Sequence, residues 1–365
     1  MIQISEILIL LDELAPFSLQ ESYDNCGLQA GHREWEVTNC LVSLDITEEV
    51  VREAISKKCR LIVSHHPLIF APVKSLTGET AVERCLELVL KNNIAVIAMH
   101  TNLDNASAGL NSYLCEKLGL RPGGMLEPRR GMLRKLVTFC PPEFADKVRQ
   151  AIFNAGAGHI GNYDQCSYNT QGLGSFRAGE KTDPFVGKKG ELHFEQETRI
   201  ETVFPDYLGP SIISSMLSAH PYEEVAYDIY LLENEYSLAG AGILGYFDEA
   251  VEEAAFLRRV KELLDIPVIR HSRLRSLPVR KVAICGGSGS FLIHKAIASG
   301  ADMFLTADLK YHHYFEADGK IVLADIGHFE SEQFAMELLA GYLKKKIPNF
   351  AVLISGVNTN PICYY

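Results

Sequence analysis

The sequence predicts an α/β protein: a discontinuous, doubly wound, mostly parallel-sheet domain (residues 1–127 plus 236–365) carrying an inserted ferredoxin-like α+β domain (128–235). Three observations carry this reading. Apolar strand-like runs alternate with amphipathic helix-like stretches through the first third of the chain, and again after YSLAGAGILG (236–245). A turn-rich segment, LRPGGMLEPRRG (120–131), interrupts that alternation. Between the two regions the order becomes strand, helix, strands, helix, strand.

The opening MIQISEILILLDELA reads as an amphipathic helix, because Glu6, Asp12 and Glu13 interrupt its apolar face and no basic segment precedes it. A strand is expected over 38–47, a helix over 47–58, and a buried strand over 59–66, where CRLIVSHH is apolar almost throughout. A helix over 79–93, a strand over 94–100 and a helix over 106–118 complete a β-α-β-α series, the pattern of a parallel sheet covered by helices. The inserted region begins with a strand at 136–141 and a helix at 143–156. Strands around 166–170, 191–197 and 201–205, a helix at 209–220 and a strand at 223–232 follow. In the last third, a helix covers 250–264, a strand 281–285 ends in GGSGS, and a helix (290–299) leads to a strand at 302–306. A buried strand at 320–327, a long helix at 328–346 and a strand at 350–355 close the chain.

The charge balance, 35 basic against 46 acidic residues for a net −11, argues against general nucleic-acid or anionic-membrane binding. No apolar run reaches membrane-spanning length. The nine cysteines are scattered without a CxxC pair, which fits free thiols in a reducing compartment. A soluble, cytoplasmic protein is expected.

The chemistry-bearing residues gather at strand ends. His65 and His66 end one predicted strand, and His100 and Asp104 follow the next. Asp308 and His312 follow the strand at 302–306, and His328 follows the strand at 320–327. In open α/β sheets ligands sit beyond the carboxyl ends of the strands, so parallel, adjacent strands would bring these side chains to one edge. His328 and Glu332 stand at i and i+4 of a helix start and share one face. Imidazole and carboxylate donors suit Zn, Fe, Mn, Co or Ni, zinc first among them. Five donors (His65, His66, Asp104, His328, Glu332) supply two divalent ions if one carboxylate bridges, leaving open positions for water or substrate. Glu332, and His312 as a general acid or base, are the catalytic candidates. Taken singly, each piece also has a structural reading: a strand-end histidine bonded to backbone, a helix-dipole carboxylate, an N-cap aspartate. The GGSGS loop (286–290) reads either as a phosphate cradle or as a tight turn beside the metals. SYDNCGLQAG, with Asp24, reads as a structured turn. HPYEEVAYDIY (220–230) alternates like a half-exposed strand, and its pattern assigns it no chemistry.

SYDNCGLQAG, SHHPLIF, HTNLDNA, GNYDQCSY, HPYEEVAYDIY, CGGSGS and DIGHFESE occur in the order seen in the NIF-three-like family, whose members are often labelled GTP cyclohydrolase 1 type 2 homologues. The chain resembles that family over nearly its whole length. The resemblance implies a dinuclear metal site on His65, His66, Asp104, His328 and Glu332. It also implies a toroidal homo-hexamer and an inserted domain similar to PII and CutA-like folds. One departure is Ala307, where the family more often has glycine; a small residue is retained.

Three functions compete on this basis. The first is a metal-dependent hydrolase of a nucleotide or another phosphorylated small molecule. The second is a non-catalytic protein of metal binding or delivery. The third is a regulatory scaffold that binds a partner through the inserted domain.

Overall fold

The computed structural model describes residues 1–365. The chain divides into two compact units, Met1–Pro128 with Leu238–Tyr365, and Arg129–Ser237.

The first unit is mixed α/β, but its strands sort into two main sheets where one doubly wound sheet was expected. In the first sheet Ala351–Ile354, Asn39–Ser43, Leu61–Ser64 and Ala95–Ala98 run parallel in that order, with Gly27–Ala30 antiparallel at the edge. In the second, Pro278–Ser288, Met303–Ala307 and Val322–Asp325 run parallel. Glu235–Glu252 and Arg270–His271 flank them antiparallel, and Arg121–Arg130 lies outermost. The 120–131 segment is therefore an edge strand and not a loop. Its proline and glycines suit that place, because an edge strand can spare ladder hydrogen bonds.

The parallel strands form where the sequence is apolar on both faces: Leu61, Ile62, Val63, Ala95, Val96 and Ile97 are all fully buried. Helices Glu48–Ser56 and Ala81–Lys91 pack on this sheet through Val50, Val51, Ala54, Cys85 and Val89. Threonines cap both helices: Thr47 accepts from the Val50 amide and Thr80 from the Glu83 amide. A separate core under the second sheet joins Ala283, Phe304 and Leu323 to Leu292, Ile293 and Ala296. The long helix expected over 328–346 is two, His328–Glu332 and Phe334–Lys346. No helix is long and apolar enough to cross a membrane.

The second unit is a four-stranded antiparallel sheet in the order Tyr227–Leu232, Leu133–Cys140, Leu192–Pro205, Ser167–Arg177. Helices Ala145–Asn154 and Gly209–Ala219 close its core through Val148, Ile152, Ile212 and Met216 against Leu136, Ile200 and Phe204. The two strands expected at 191–197 and 201–205 are one strand of 14 residues.

Candidate metal centre

The two parallel sets of strands end at one place in the first unit. Leu61–Ser64 delivers His65 and His66, and its parallel neighbour Ala95–Ala98 delivers His100 and Asp104. Val322–Asp325, in the other sheet, delivers the short helix that carries His328 and Glu332. The convergence expected at one sheet edge is thus made by two sheets, and no single strand order could have been read to give it.

Three groups of ligand atoms each lie within 4.8 Å of one another: His66 with His328 and Glu332, His65 with Asp104 and Glu332, and His65 with His66 and His100. Glu332 belongs to the first two, so one carboxylate links both halves. Its Oε2 lies 2.9 Å from His66 Nε2, 3.0 Å from His328 Nε2 and 3.8 Å from His65 Nε2.

The tautomers explain what such a cluster wants. Each imidazole has its Nδ1 against an acceptor: His65 on the Met99 carbonyl at 2.7 Å, His66 on Asp45 at 2.7 Å, His328 on Asp308 at 2.7 Å and His100 on Asp24 at 2.8 Å. Those acceptors have no hydrogen to give, so each Nδ1 carries a proton and, in the neutral ring, each Nε2 presents a lone pair. The Nε2 lone pairs of His65, His66 and His328 then face the carboxylates of Glu332 and Asp104, which are acceptors as well. His65 Nε2, Asp104 Oδ1 and Glu332 Oε2 are buried without a hydrogen-bond partner. Leaving such a group buried and unpaired costs about 1–3 kcal/mol, a large toll on a fold stable by roughly 5–15 kcal/mol. A cation in their midst answers all three, and a carboxylate or carbonyl behind each imidazole is the usual support of a metal-bound histidine. The residues present fit divalent ions.

The charges agree. Burial works against ionisation of Glu332, but the imidazoles of His328, His65 and His66 hold its carboxyl well below the usual carboxylate range. Burial, with the charge of Glu332 adding to it, pushes Asp104 up to about 7. Without an ion the site keeps protons in its place.

A second layer fixes the donors. Asn111 donates to the Asp104 carbonyl and accepts from the Gly286 amide. Gly287 donates to Ser331, and a Cβ at Gly287 would fall 2.1 Å from Glu332 Oε1. The GGSGS segment therefore serves as a close-packed wall beside Glu332: its first two amides are already taken, and Gly286–Ser288 continue the strand. Thr359, near the chain end, donates to Asp45 at 2.5 Å, and Asn360 donates to Glu330 at 2.9 Å. A cavity of about 550 Å³ opens beside His66 and Asp45, lined also by Thr47, Arg52, Asn358 and Thr359.

The five expected ligands all reach the cluster. His312 does not: it is exposed on the turn Tyr311–Ala317, its ring against Tyr311 and Phe315. Sequence reasoning left out Asp45, and it placed Asp24 only in a structured turn. Asp45 follows the strand Asn39–Ser43 just as the ligands follow theirs, but the strand expected over 38–47 enclosed it and hid that position. Asp24, in a turn, is bound by His100 and Thr101, and no pattern in the turn announces it.

The match to known proteins runs the length of the chain. The model of the Duf34/NIF3 (NGG1p interacting factor 3) family matches residues 2–361. A protein of Halalkalibacterium halodurans named GTP cyclohydrolase 1 type 2 homolog is 37% identical over 364 residues, covering 98% of each chain. Its namesake in Bacillus subtilis is 36% identical over 364 residues and again 98% of each chain. Among solved structures, a Bacillus cereus protein related to NIF3 superposes with a TM-score of 0.86 at 37% identity, covering 100% of this chain and 99% of that one. A family model spanning the chain, with relatives and a structure matching end to end, leaves one conclusion: this chain belongs to the Duf34/NIF3 family.

Proposed function

We propose that this protein holds two divalent metal ions on His65, His66, Asp104, His328 and Glu332, zinc first among the candidates, and uses them to hydrolyse a nucleotide or another phosphorylated small molecule. The observation that carries the reading is the bridge: two triads of donor atoms share Glu332, and one atom from each of three ligands is buried without a partner. Two ions held there would lower the pKa of a bound water and so supply a nucleophile near neutral pH. The chain's own part is to orient the donors through Asp45, Asp308 and Met99, to keep Glu332 charged, and to leave space beside His66 for a small molecule. The name that the relatives carry puts GTP first among substrates to try. His312, on its exposed turn, would act on the substrate and not on the metals.

The test is a turnover assay of metal-loaded protein with GTP and a nucleotide panel, beside the Glu332→Gln and His312→Ala variants. Turnover lost in Glu332→Gln supports hydrolysis. Turnover lost in His312→Ala at unchanged metal content places His312 on the substrate. No turnover above the Glu332→Gln control favours the second reading, metal binding or delivery without catalysis, which the open, half-exposed His328 also supports.

The strand and helix order of the second unit supports a ferredoxin-like, PII/CutA-like insertion. We further read the protein as a cytoplasmic, toroidal homo-hexamer. The exposed Tyr227, Ile229 and Leu231 on an edge strand support self-association, and sedimentation would test it.

A further inference from the structure

We propose that the second unit carries a binding pocket for a small organic amine, built by the HPYEE motif. The pocket encloses about 320 Å³ between the end of the strand Ser167–Arg177, the following loop and residues 222–226. That volume suits a small ligand.

Tyr222, Glu223 and Glu224 of the motif line it, and His220 supports them from behind. His220 donates from Nε2 to the Phe139 carbonyl and accepts the Tyr222 amide on Nδ1, so a neutral imidazole braces the turn. Burial lowers its pKa, in keeping with that neutral role. Tyr222 turns inward and donates its hydroxyl to Glu197 Oε1 at 3.0 Å. Glu223 accepts the Asp183 amide at 2.9 Å and so ties the loop over the pocket. Gly174 gives the Glu197 carboxylate its room, since a Cβ there would lie 2.2 Å from Oε2.

The lining selects the ligand. Phe185 and Tyr222 set two aromatic rings 6.1 Å apart, tilted by 48°. Phe176 and Pro184 add apolar wall for a carbon body. Glu197, Glu223 and Glu224 are three carboxylates in the lining to one guanidinium, that of Arg177. Aromatic faces beside a carboxylate attract an ammonium by cation–π and charge-assisted hydrogen bonding, and the negative balance disfavours phosphates and carboxylates. The ligand class is thus an amine with an apolar or aromatic body, unlike the anionic substrate proposed for the metal centre.

The test titrates the full-length protein with phenethylamine, phenethyl alcohol and phenylacetate, read by saturation-transfer NMR and calorimetry. The amine is expected to bind, the alcohol and the acid to fail, and Glu197→Gln to weaken the amine by about tenfold or more. Phe185→Leu should weaken it less. Equal binding of the alcohol, undiminished binding to Glu197→Gln, or no binding of the amine at millimolar concentration would each overturn the proposal. Melting temperature and metal content check that the variants fold. If Glu197→Gln does not fold, the wild-type preference for amine over alcohol still decides.

Discussion

The candidate metal centre has a deep half and a shallow half. In the deep half the side chains of His65, Asp104 and Glu332 are 0%, 20% and 4% exposed. In the shallow half His66 and His328 are 22% and 36% exposed. The supports differ too. His65 is held by a backbone carbonyl at the end of the neighbouring strand, which cannot move without the sheet. His66 and His328 are held by the carboxylates of Asp45 and Asp308, both partly exposed. The same donor chemistry thus yields one enclosed group of donors and one that meets solvent. The cavity beside His66 lies on the exposed side.

That comparison breaks most sharply at Glu332, which serves both halves. Glu332→Ala should remove both ions, taking metal content from about two per chain to near none, as mass spectrometry of protein purified without added metal would read. Loss of only one ion would mean that Glu332 does not bridge. Single-half variants come next. His328→Ala should release the shallow ion and leave the deep one, for about one per chain. His65→Ala should instead empty the deep position. Identical losses in the two variants would dissolve the distinction between the halves.

Supports should matter less than ligands, and unequally. Asp308→Ala and Asp45→Ala are expected to weaken only the shallow ion, by about 10–100-fold, the usual cost of losing a partner behind a metal-bound histidine. Competition with a chelator of known affinity measures this directly. Thr359→Val, which removes the donor to Asp45, should have a smaller effect in the same direction.

What the sequence made legible follows from these physical differences. Ligands at the ends of buried parallel strands announce themselves, because an apolar run such as LIVS or VLAD stops where a polar residue begins. His65, His66 and Asp104 could be read that way, and His328 with Glu332 by helical spacing. That the strands belong to two sheets could not be read, since an apolar run specifies burial but not which neighbour it pairs with. Arg121–Arg130 misled for a related reason: Pro122, Gly123 and Gly124 signal a turn locally, and only the flanking strand Glu235–Glu252 makes them an edge. Asp24, fixed by contacts 76 and 77 residues away, leaves no local trace. The strand read across HPYEEVAYDIY begins only at Tyr227; HPYEE itself is a turn, and its residues act through Glu197 and Asp183, which the motif does not contain.

The smallest effect is one of pH, and it separates metal-bound from metal-free protein. Stripped of ions, the cluster must hold protons. Burial opposes a charge on His66, but the nearby carboxylates of Asp45 and Glu332 push it up to about 10. Glu332, with Asp308, holds His328 up at about 9 against burial. Burial pushes Asp104 to about 7. All three folded values lie above the ordinary values of 6.5, 6.5 and 3.8, so each group binds its proton more tightly folded than unfolded. The stability they contribute is complete below the ordinary values and is lost as pH rises, first through about 7 and then through about 9 to 10. Glu332, held low, acts in the opposite sense but only in acid, outside this window. Metal-free protein should therefore melt at progressively lower temperature from about pH 6 to about pH 10. Metal-loaded protein would have no such protons to lose, because bound metal would occupy the lone pairs. Its melting temperature should hold over the same range, and parallel curves with and without chelator would mean that these side chains do not share an ion.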